Sequence, residues 1–397
     1  MRVRAAIGAL CLLLAACTSQ DVREGTLPSY AQPLRPVPEP GSRLLVIRDD
    51  GNLVTMLPDG SNIVPLTTQA GEMLQVQQPA WSPDGSRIAW VEVDAGRAML
   101  AVSGPAGLDR REVPLDLAAF FLQWDPTGNR VAYLGGALGT IGMGVVSDEG
   151  DALSVAPVGS GNPFYLAWSP EGDRLLVHID QATLGISDLE GAFEDLGETL
   201  GLFQAPAWLP DGRLVYAVRD RDGQRLVVRD GRRVRMLATV TSAVAVAFVA
   251  SPDGTRVAYR RVTEQGALGP VYVATVLGRA RQLVTHEEAA AFFWSPDGDD
   301  LLLLTVEPGE QIAFRWRVWN GRERFVGDPF LPSPTFLRDY VPFFDQFAPG
   351  IGLWAPDGSA FAYPGLHEGV AGIWVQQPTS GDAPSFVSDG SIVSWSP

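Results

Sequence analysis

The stretch "QPAWSPDGSRIAW", from Gln78 to Trp90, decides the fold. In Ser82-Pro83-Asp84-Gly85, proline presets φ at the second turn position and glycine supplies a positive φ at the last. The residues on both sides are apolar, aromatic or β-branched, as in strands. The stretch therefore predicts two antiparallel strands joined by a type I turn with a glycine bulge.

The same motif recurs along the whole chain. Its first position is a tryptophan in seven of eight copies, and successive copies are separated by 43, 44, 40, 42, 44, 60 and 41 residues. The eight positions are Trp81, Trp124, Trp168, Trp208, Ala250, Trp294, Trp354 and Trp395. A period in the low forties with four strands per unit is typical of a β-propeller blade. We expect an all-β propeller of four-stranded blades with eight blades, or seven if one unit is degenerate.

The tryptophans are expected to be structural, because a large ring can fill the gap between adjacent twisted sheets. The last repeat breaks off after "SIVSWSP", whereas the N-terminal repeat starts at its second strand with "RLLVIRDDGNLVTMLPDGSNIVPLT". The two fragments complement each other. The C-terminal strand should therefore join the N-terminal blade and close the ring, which removes an open sheet edge.

The turn W-S-P-D-G, the following I-A-[FYW] strand and "MLPDGSNIVPLT" (Met56–Thr67) resemble the TolB-type, WD-like repeats of bacterial envelope proteins. The resemblance covers nearly the whole body and is specific for fold. It implies a protein-docking platform, a gate for a peptidase domain or a ligand-binding ring. TolB itself has an N-terminal α/β domain, which we do not find before these repeats, so a Tol–Pal role is not implied.

The N-terminus has the pattern of an export signal. Two arginines precede an apolar run at residues 5–15 that is too short to span a bilayer, and Leu14-Ala15-Ala16-Cys17 follows. This resembles the lipobox of bacterial lipoproteins, which implies a lipid on Cys17; plain secretion with an incidental Cys17 is the alternative. Residues 18–40 contain five prolines and are predicted to form an extended tether. The predicted organisation is 1–17 signal peptide, 18–40 tether and 41–397 propeller.

The charge and the cysteine content limit the possible binding partners and disulfides. The formal charge of the chain is −16, and it becomes −18 once Arg2 and Arg4 are removed with the signal. That balance argues against nucleic acid and anionic lipid headgroups as partners. Cys11 and Cys17 are the only cysteines, so cleavage would leave no pair for a disulfide. Another protein of the cell envelope is the expected partner, and a small ligand in the channel is an alternative.

No catalytic constellation is evident in the sequence. His178, His286 and His367 lie in different repeats without metal-ligand spacing, and no nucleophile elbow occurs. Carboxylates at residues 49–50, 220–222 and 297–300 lack the full ligand set of a calcium loop, so solvated hairpin turns explain them better. We therefore predict no catalytic residue, no metal and no cofactor.

The spacing of 60 residues marks an insertion, "GDPFLPSPTFLRDYVPFFDQFAPG", from Gly327 to Gly350. It joins the fourth strand of one blade to the first of the next, on the face opposite the SPDG turns, and should lean over the channel. A long aromatic loop on a rigid scaffold is a candidate binding element. The candidate residues are Arg338, Tyr340, Phe343, Phe344, Asp345 and Gln346. Loops on the same face would add Gln75, Gln77, Phe164, Tyr165, Phe203, Gln204, Glu287 and Glu288.

The alternative is that the aromatic rings of the insertion pack as a lid on the propeller, with a short helix at Pro342 to Phe347.

The features together favour a membrane-tethered extracytoplasmic propeller that acts as a non-enzymatic binding or scaffold module. Two alternatives remain open. One is a hydrolase or lyase with a divalent ion bound by acidic residues around the channel. The other is a solute-binding lipoprotein whose aromatic rings stack on a sugar or a cation.

Overall fold

The computed structural model describes most of the body of the chain. The described residues are 42–71, 74–137, 139–148, 153–161, 164–180, 183–198, 200, 204–221, 223–240, 246–262, 268–278, 280–309, 312–379, 381 and 383–397. The predicted signal, Cys17 and the tether lie outside them.

The described residues form 31 strands, which follow one another in antiparallel order. The first strands are β1 Leu44–Ile47, β2 Leu53–Met56, β3 Val64–Pro65, β4 Leu74–Trp81, β5 Ile88–Asp94, β6 Arg97–Ser103, β7 Arg111–Leu115, β8 Ala118–Trp124, β9 Arg130–Ala137, β10 Thr140–Asp148, β11 Leu153–Gly161, β12 Phe164–Trp168, β13 Arg174–Ile179, β14 Thr183–Asp188 and β15 Phe193–Asp195. The remaining strands are β16 Ala207–Trp208, β17 Leu214–Asp220, β18 Gly223–Asp230, β19 Arg233–Val240, β20 Ala247–Ala250, β21 Arg256–Val262, β22 Leu268–Thr275, β23 Arg281–Thr285, β24 Ala289–Trp294, β25 Leu301–Glu307, β26 Ala313–Trp319, β27 Glu323–Pro332, β28 Phe361–His367, β29 Val370–Gln376, β30 Ser385–Ser388 and β31 Ile392–Trp395.

The strands form six four-stranded sheets and one seven-stranded sheet. In every sheet except the first, the strands pair in chain order. The inner strands of neighbouring sheets contact each other, as in β4 with β8 and β20 with β24. These inner strands surround a central channel. The seven-stranded sheet joins β24–β27 to β28–β30 through two residue pairs, one of which is Leu331 with Leu366. The propeller architecture is confirmed, and the count of eight blades, which requires dividing that sheet, stays a prediction.

The two chain ends close the ring as predicted. Strand β31 pairs with β1 from Leu44 opposite Trp395 to Ile47 opposite Ile392, and the sheet order is β3-β2-β1-β31. The C-terminal strand is therefore the inner strand of the first sheet.

The SPDG turns have the predicted geometry. The Gly85 amide donates to the Ser82 carbonyl at 2.9 Å, the Ser82 amide donates to the Arg87 carbonyl at 2.9 Å, and Gly85 has a φ of +69°. The equivalent glycines of the other turns have φ values of +67° to +84°. A side chain other than glycine would be strained there, which explains why the motif keeps this residue.

The repeated tryptophans link neighbouring sheets. The Trp124 indole donates to the Ala80 carbonyl at 3.1 Å, and the Trp294 indole donates to the Val249 carbonyl at 3.1 Å. In both cases the acceptor is the residue just before the motif of the preceding repeat. The indoles of Trp81, Trp168 and Trp354 make the equivalent bond, at 3.4, 3.1 and 3.4 Å. Trp208 and Trp395 have no partner for the indole N–H among the described atoms.

An arginine six residues after the first position of the motif adds a second link that the sequence analysis missed. The Arg87 guanidinium lies 5.4 Å from the ring centroid of Trp124 in the next repeat and donates to the Gly128 carbonyl. Arg256 lies 5.1 Å from the Trp294 ring and donates to the Gly298 carbonyl. The signal was present in the sequence, because arginine recurs at this position in four repeats.

Candidate functional site

The insertion folds into a plug over the central channel. Its first residues extend β27, and the rest form a π-helical turn at Phe336–Tyr340, a 3-10 turn at Val341–Phe343 and one α-helical turn at Phe344–Phe347. Aromatic side chains of these turns point into the ring. None of the helical segments that the structure describes is long and apolar enough to span a bilayer.

Phe344 is the centre of this packing. Its side chain is 2% exposed, and its ring centroid lies 4.6 Å from that of Phe292 and 6.1 Å from that of Phe293, both in the inner strand β24. The Arg260 guanidinium lies 5.6 Å from the centroid of the same ring. Phe344 therefore bridges two neighbouring sheets from inside the channel.

Two further rings of the insertion reach the opposite side of the channel. Phe347 packs edge-on against Phe121 of the inner strand β8, with ring centroids 5.0 Å apart. Tyr340 lies 4.7 Å from Phe347 and is 6% exposed. Phe344 and Phe347 thus contact inner strands on opposite sides of the channel, and Tyr340 packs against Phe347. The plug therefore holds these sheets at a fixed separation.

Gln346 completes the hydrogen bonding of an inner strand. Its side-chain amide donates to the Leu166 carbonyl at 2.8 Å, and its side-chain oxygen accepts from the Leu166 amide at 3.0 Å. Leu166 lies in β12, whose channel-facing edge has no further strand. Gln346 therefore satisfies backbone groups that would otherwise face the channel unpaired.

Asp345 brings a carboxyl group into this buried environment. Burial raises its pKa to about 7, although the nearby Arg260 charge and a hydrogen bond from the Ala205 amide both act to lower it. Burial likewise lowers the pKa of Arg260 to about 10, so the guanidinium keeps its charge at neutral pH. Asp345 consequently titrates near neutrality beside a fixed positive charge.

This titration predicts a pH dependence of stability. The folded pKa of about 7 lies above the ordinary value of 3.8. Asp345 therefore loses its proton at a lower pH in the unfolded chain than in the folded one. The free energy of unfolding consequently falls as the pH rises from about 4 to about 7. Asp345→Asn removes this loss. Relative to the variant, we expect the wild type to lose on the order of 2–4 kcal/mol of unfolding free energy between pH 4 and pH 8. Urea unfolding at several pH values measures it, and parallel pH profiles of the two proteins would contradict it.

A polar cleft of about 390 Å³ opens beside the plug on the insertion face. One wall is the insertion, with Arg338, Asp339 and Tyr340, and the other belongs to the first two sheets. The residues of the second wall include Asp49, Asp50, Gln75, Gln77 and Gln78. We call this site the insertion-face cleft. Asp50 accepts a hydrogen bond from the Asn52 amide at 2.8 Å, and this bond lowers its pKa, so its carboxylate is charged at neutral pH.

The opposite mouth of the channel forms a second pocket, of about 480 Å³. Its walls include the repeated tryptophans Trp81, Trp124, Trp294, Trp354 and Trp395, and the last insertion residues, 348–350, form part of its lining with the following residues 351–353. The insertion thus contributes to the lining of both pockets.

The predicted binding residues divide into two groups. Tyr340, Phe344 and Gln346 are buried in the plug, whereas Arg338 is exposed and Phe343 is 47% exposed. Of the residues named on neighbouring loops, Gln75 and Gln77 line the cleft, and Phe203 lies outside the described residues. Phe164, Tyr165 and Gln204 are buried, and Glu287 and Glu288 are exposed. Of the predicted residues that are not buried, Arg338, Gln75 and Gln77 line the cleft, whereas Phe343 is exposed outside it.

Two of the three histidines, His178 and His367, make contacts within the protein, and His286 is exposed. His367 Nε2 lies 3.0 Å from the Tyr363 hydroxyl, and burial lowers its pKa to about 4. His178 Nδ1 lies 3.1 Å from the Gln204 carbonyl, and its ring stacks on Tyr165. Among the described residues, no group of three or more histidine, cysteine, aspartate or glutamate side chains is arranged to hold a metal ion.

Comparisons with known proteins identify the fold. The sequence matches no protein-family model and no curated protein. A eukaryotic initiation factor is similar in structure, with a TM-score of 0.55 at 12% identity over 90% of this chain and 98% of that one. An oligogalacturonate lyase in complex with manganese gives 0.54 at 13% identity, over 84% and 95% of the chains.

TolB from Acinetobacter baumannii is also among the similar structures, with a TM-score of 0.38 at 17% identity over 61% of this chain. This chain spans 62% of the length of that TolB chain. At these identities the likenesses bear on fold and not on activity. The sheet order, the joined chain ends and the likenesses with TM-scores above 0.5 together identify this chain as a β-propeller.

Proposed function

We propose that this protein is a non-enzymatic binding module of the bacterial cell envelope and that it recognises another envelope protein through the insertion-face cleft. The observation that carries the proposal is the anchored insertion. Its buried rings and Gln346 fix it to several inner strands, while Arg338 and Asp339 remain at the cleft. A recognition surface held by a rigid scaffold loses little conformational entropy on binding.

The chemistry of the cleft favours a polar, cationic segment of the partner. Asp49, Asp50 and Asp339 supply carboxylates, and Gln75 supplies an amide that can donate and accept hydrogen bonds. The Gln77 side-chain amide already donates to the Ala119 carbonyl at 3.0 Å. Arg338 forms two hydrogen bonds with Asp339, at 2.7 and 2.6 Å, which offsets one of these negative charges. Arginine or lysine side chains of a partner would complement the remaining carboxylates.

The cellular setting is part of the same proposal. The apolar run that ends at Cys17 supports export and lipidation, and the proline-rich residues 18–40 support a tether between the lipid and the propeller. The cleft would then face a partner at a distance from the membrane anchor. Palmitate labelling of wild type and Cys17→Ser in cells tests the anchor, because only the wild type should take up label.

A charge reversal in the cleft tests the binding role. Asp50→Lys places a cation in the cleft, and Asp357→Lys is its matched control on the opposite face. Both aspartates are exposed, and each accepts one hydrogen bond from the amide two residues later, at 2.8 and 2.9 Å. We expect affinity capture from solubilised native membranes to recover one partner with the wild type and with Asp357→Lys. Its yield with Asp50→Lys should fall by about tenfold or more.

Equal recovery with Asp50→Lys would contradict the cleft as the binding site. Turnover of a substrate by the purified protein, abolished by single carboxylate substitutions on the insertion face, would contradict a non-enzymatic role.

A further inference from the structure

A strongly basic sector interrupts the acidic chain. Residues 205–285 contain 13 of the 30 arginines and six acidic residues, so this stretch has a formal charge of +7 in a chain whose total is −16. These residues form β16–β23, two neighbouring sheets of the propeller. Because the two sheets are adjacent, the excess charge is concentrated on one side of the ring.

Four of the exposed arginines lie on or beside the outer strands of these two sheets, whereas Arg219 and Arg221 are exposed at the end of β17, towards the opposite face. Arg232, Arg233 and Arg235 are exposed at the turn into β19 and along it, and Arg281 is exposed at the start of β23. Within the described part of the chain, none of the four forms an ion pair, although Asp230 lies in the same turn as Arg232. The Arg235 guanidinium donates to the Leu277 carbonyl at 3.4 Å, which joins the two sheets.

Apolar side chains are exposed between these arginines. Val234 is 48% exposed, Met236 is 52% exposed and Leu277 is 47% exposed. Gly278, next to Leu277, lies against Met236: a β-carbon built on it would come within 3.0 Å of the Met236 carbonyl oxygen. The four arginines and these three apolar residues form one surface, which we call the basic rim.

The basic rim lies on the same face of the propeller as the start of its first strand. The turns β18–β19 and β22–β23 join third to fourth strands, so in an antiparallel sheet they lie on the face of the SPDG turns. The chain enters on that face as well, because the Arg43 amide donates to the Ser396 hydroxyl at 3.0 Å. Ser396 follows Trp395 in the last, truncated copy of the turn motif. The first described residues, Ser42 and Arg43, therefore lie on the face that carries the basic rim.

We propose that the basic rim binds an anionic lipid surface and thereby orients the propeller with the insertion-face cleft away from the membrane. Arginines next to exposed leucine, methionine and valine suit an interface where phosphates lie above acyl chains. The net negative charge of the whole chain argues against binding of anionic lipids in general. At the basic rim, however, the local excess of arginines would attract anionic headgroups. The inference does not depend on the cleft binding a partner.

Vesicle binding by the full-length chain tests the proposal. All proteins would carry Cys17→Ser and the same first 41 residues, so that only the propeller differs between them. Arg232→Ser combined with Arg233→Ser removes two charges of the rim. Arg97→Ser combined with Arg221→Ser is the matched control, because both arginines are exposed at turns between second and third strands, on the opposite face. The vesicles contain phosphatidylcholine alone or with 40% phosphatidylglycerol.

We expect the parent and the control to bind the anionic vesicles at least about tenfold more tightly than the rim variant does, at roughly fivefold per arginine. This difference should vanish on neutral vesicles and shrink in high salt. Equal binding of all three proteins to the anionic vesicles would overturn the proposal. The proposal would also be overturned if the rim variant lost an acidic protein partner in cells while its vesicle binding was unchanged.

Discussion

Replacing Phe344 with alanine is expected to lower the free energy of unfolding by about 3–5 kcal/mol. The ring is 2% exposed and packs against Phe292, Phe293 and the Arg260 guanidinium. Its removal would leave a cavity between rigid sheets that cannot close over it. Arg260 would also lose a ring contact while its guanidinium stayed in a desolvated site.

The adjacent residue provides the control for this prediction. Phe343 is 47% exposed, so Phe343→Ala should change the unfolding free energy by no more than about 0.5 kcal/mol. Urea unfolding of the three proteins, monitored by tryptophan fluorescence, gives both values. A similar small effect of the two substitutions would show that the insertion does not pack into the channel as described.

Deleting residues 391–397 is expected to prevent the propeller from closing. The deletion removes β31, whose Ile392, Val393 and Trp395 side chains are 6%, 3% and 1% exposed. Large-to-small changes at buried positions cost several kcal/mol each, and whole domains are stable by only about 5–15 kcal/mol. The first sheet would also lose its inner strand and expose the edge of β1.

The truncated chain should show no cooperative thermal transition, or one lowered by at least about 15 °C. A synthetic peptide of residues 391–397, added at increasing concentration, should restore the transition in part, because it can pair with β1 in the same register. A shorter deletion of Pro397 alone is the control, since it leaves β31 intact. A truncated chain that melted like the full-length protein would contradict closure by this strand.

The fold could be predicted from the sequence because its determinants are local and repeated. The turn needs proline and glycine at fixed offsets, and the same turn recurs in register with strand-like residues. Even the joining of the two ends followed from complementary fragments, and the pairing of β1 with β31 confirms it. An arginine six residues after the first motif position recurs in four repeats. Its contact with the next repeat could have been proposed from that spacing.

The insertion was predictable in position but not in detail. Its length and aromatic content placed it over the channel, and the alternative in which its rings pack as a lid describes Tyr340 and Phe344 in the structure. The bond between Gln346 and Leu166 joins residues 180 positions apart. No local pattern signals such a contact, because it depends on how the ring brings distant inner strands together. The cleft was not predicted for the same reason, because Asp50 and Arg338 lie far apart in the sequence.

Hydrogen exchange at the Leu166 amide tests most directly whether the insertion is anchored in the channel. This amide faces the channel and donates to Gln346 at 3.0 Å. In the wild type it should exchange slowly, and in Gln346→Ala it should exchange at least about tenfold faster, whereas Phe343→Ala should leave it unchanged. Rapid exchange in the wild type, or the same rate in Gln346→Ala, would show that the insertion does not occupy the channel.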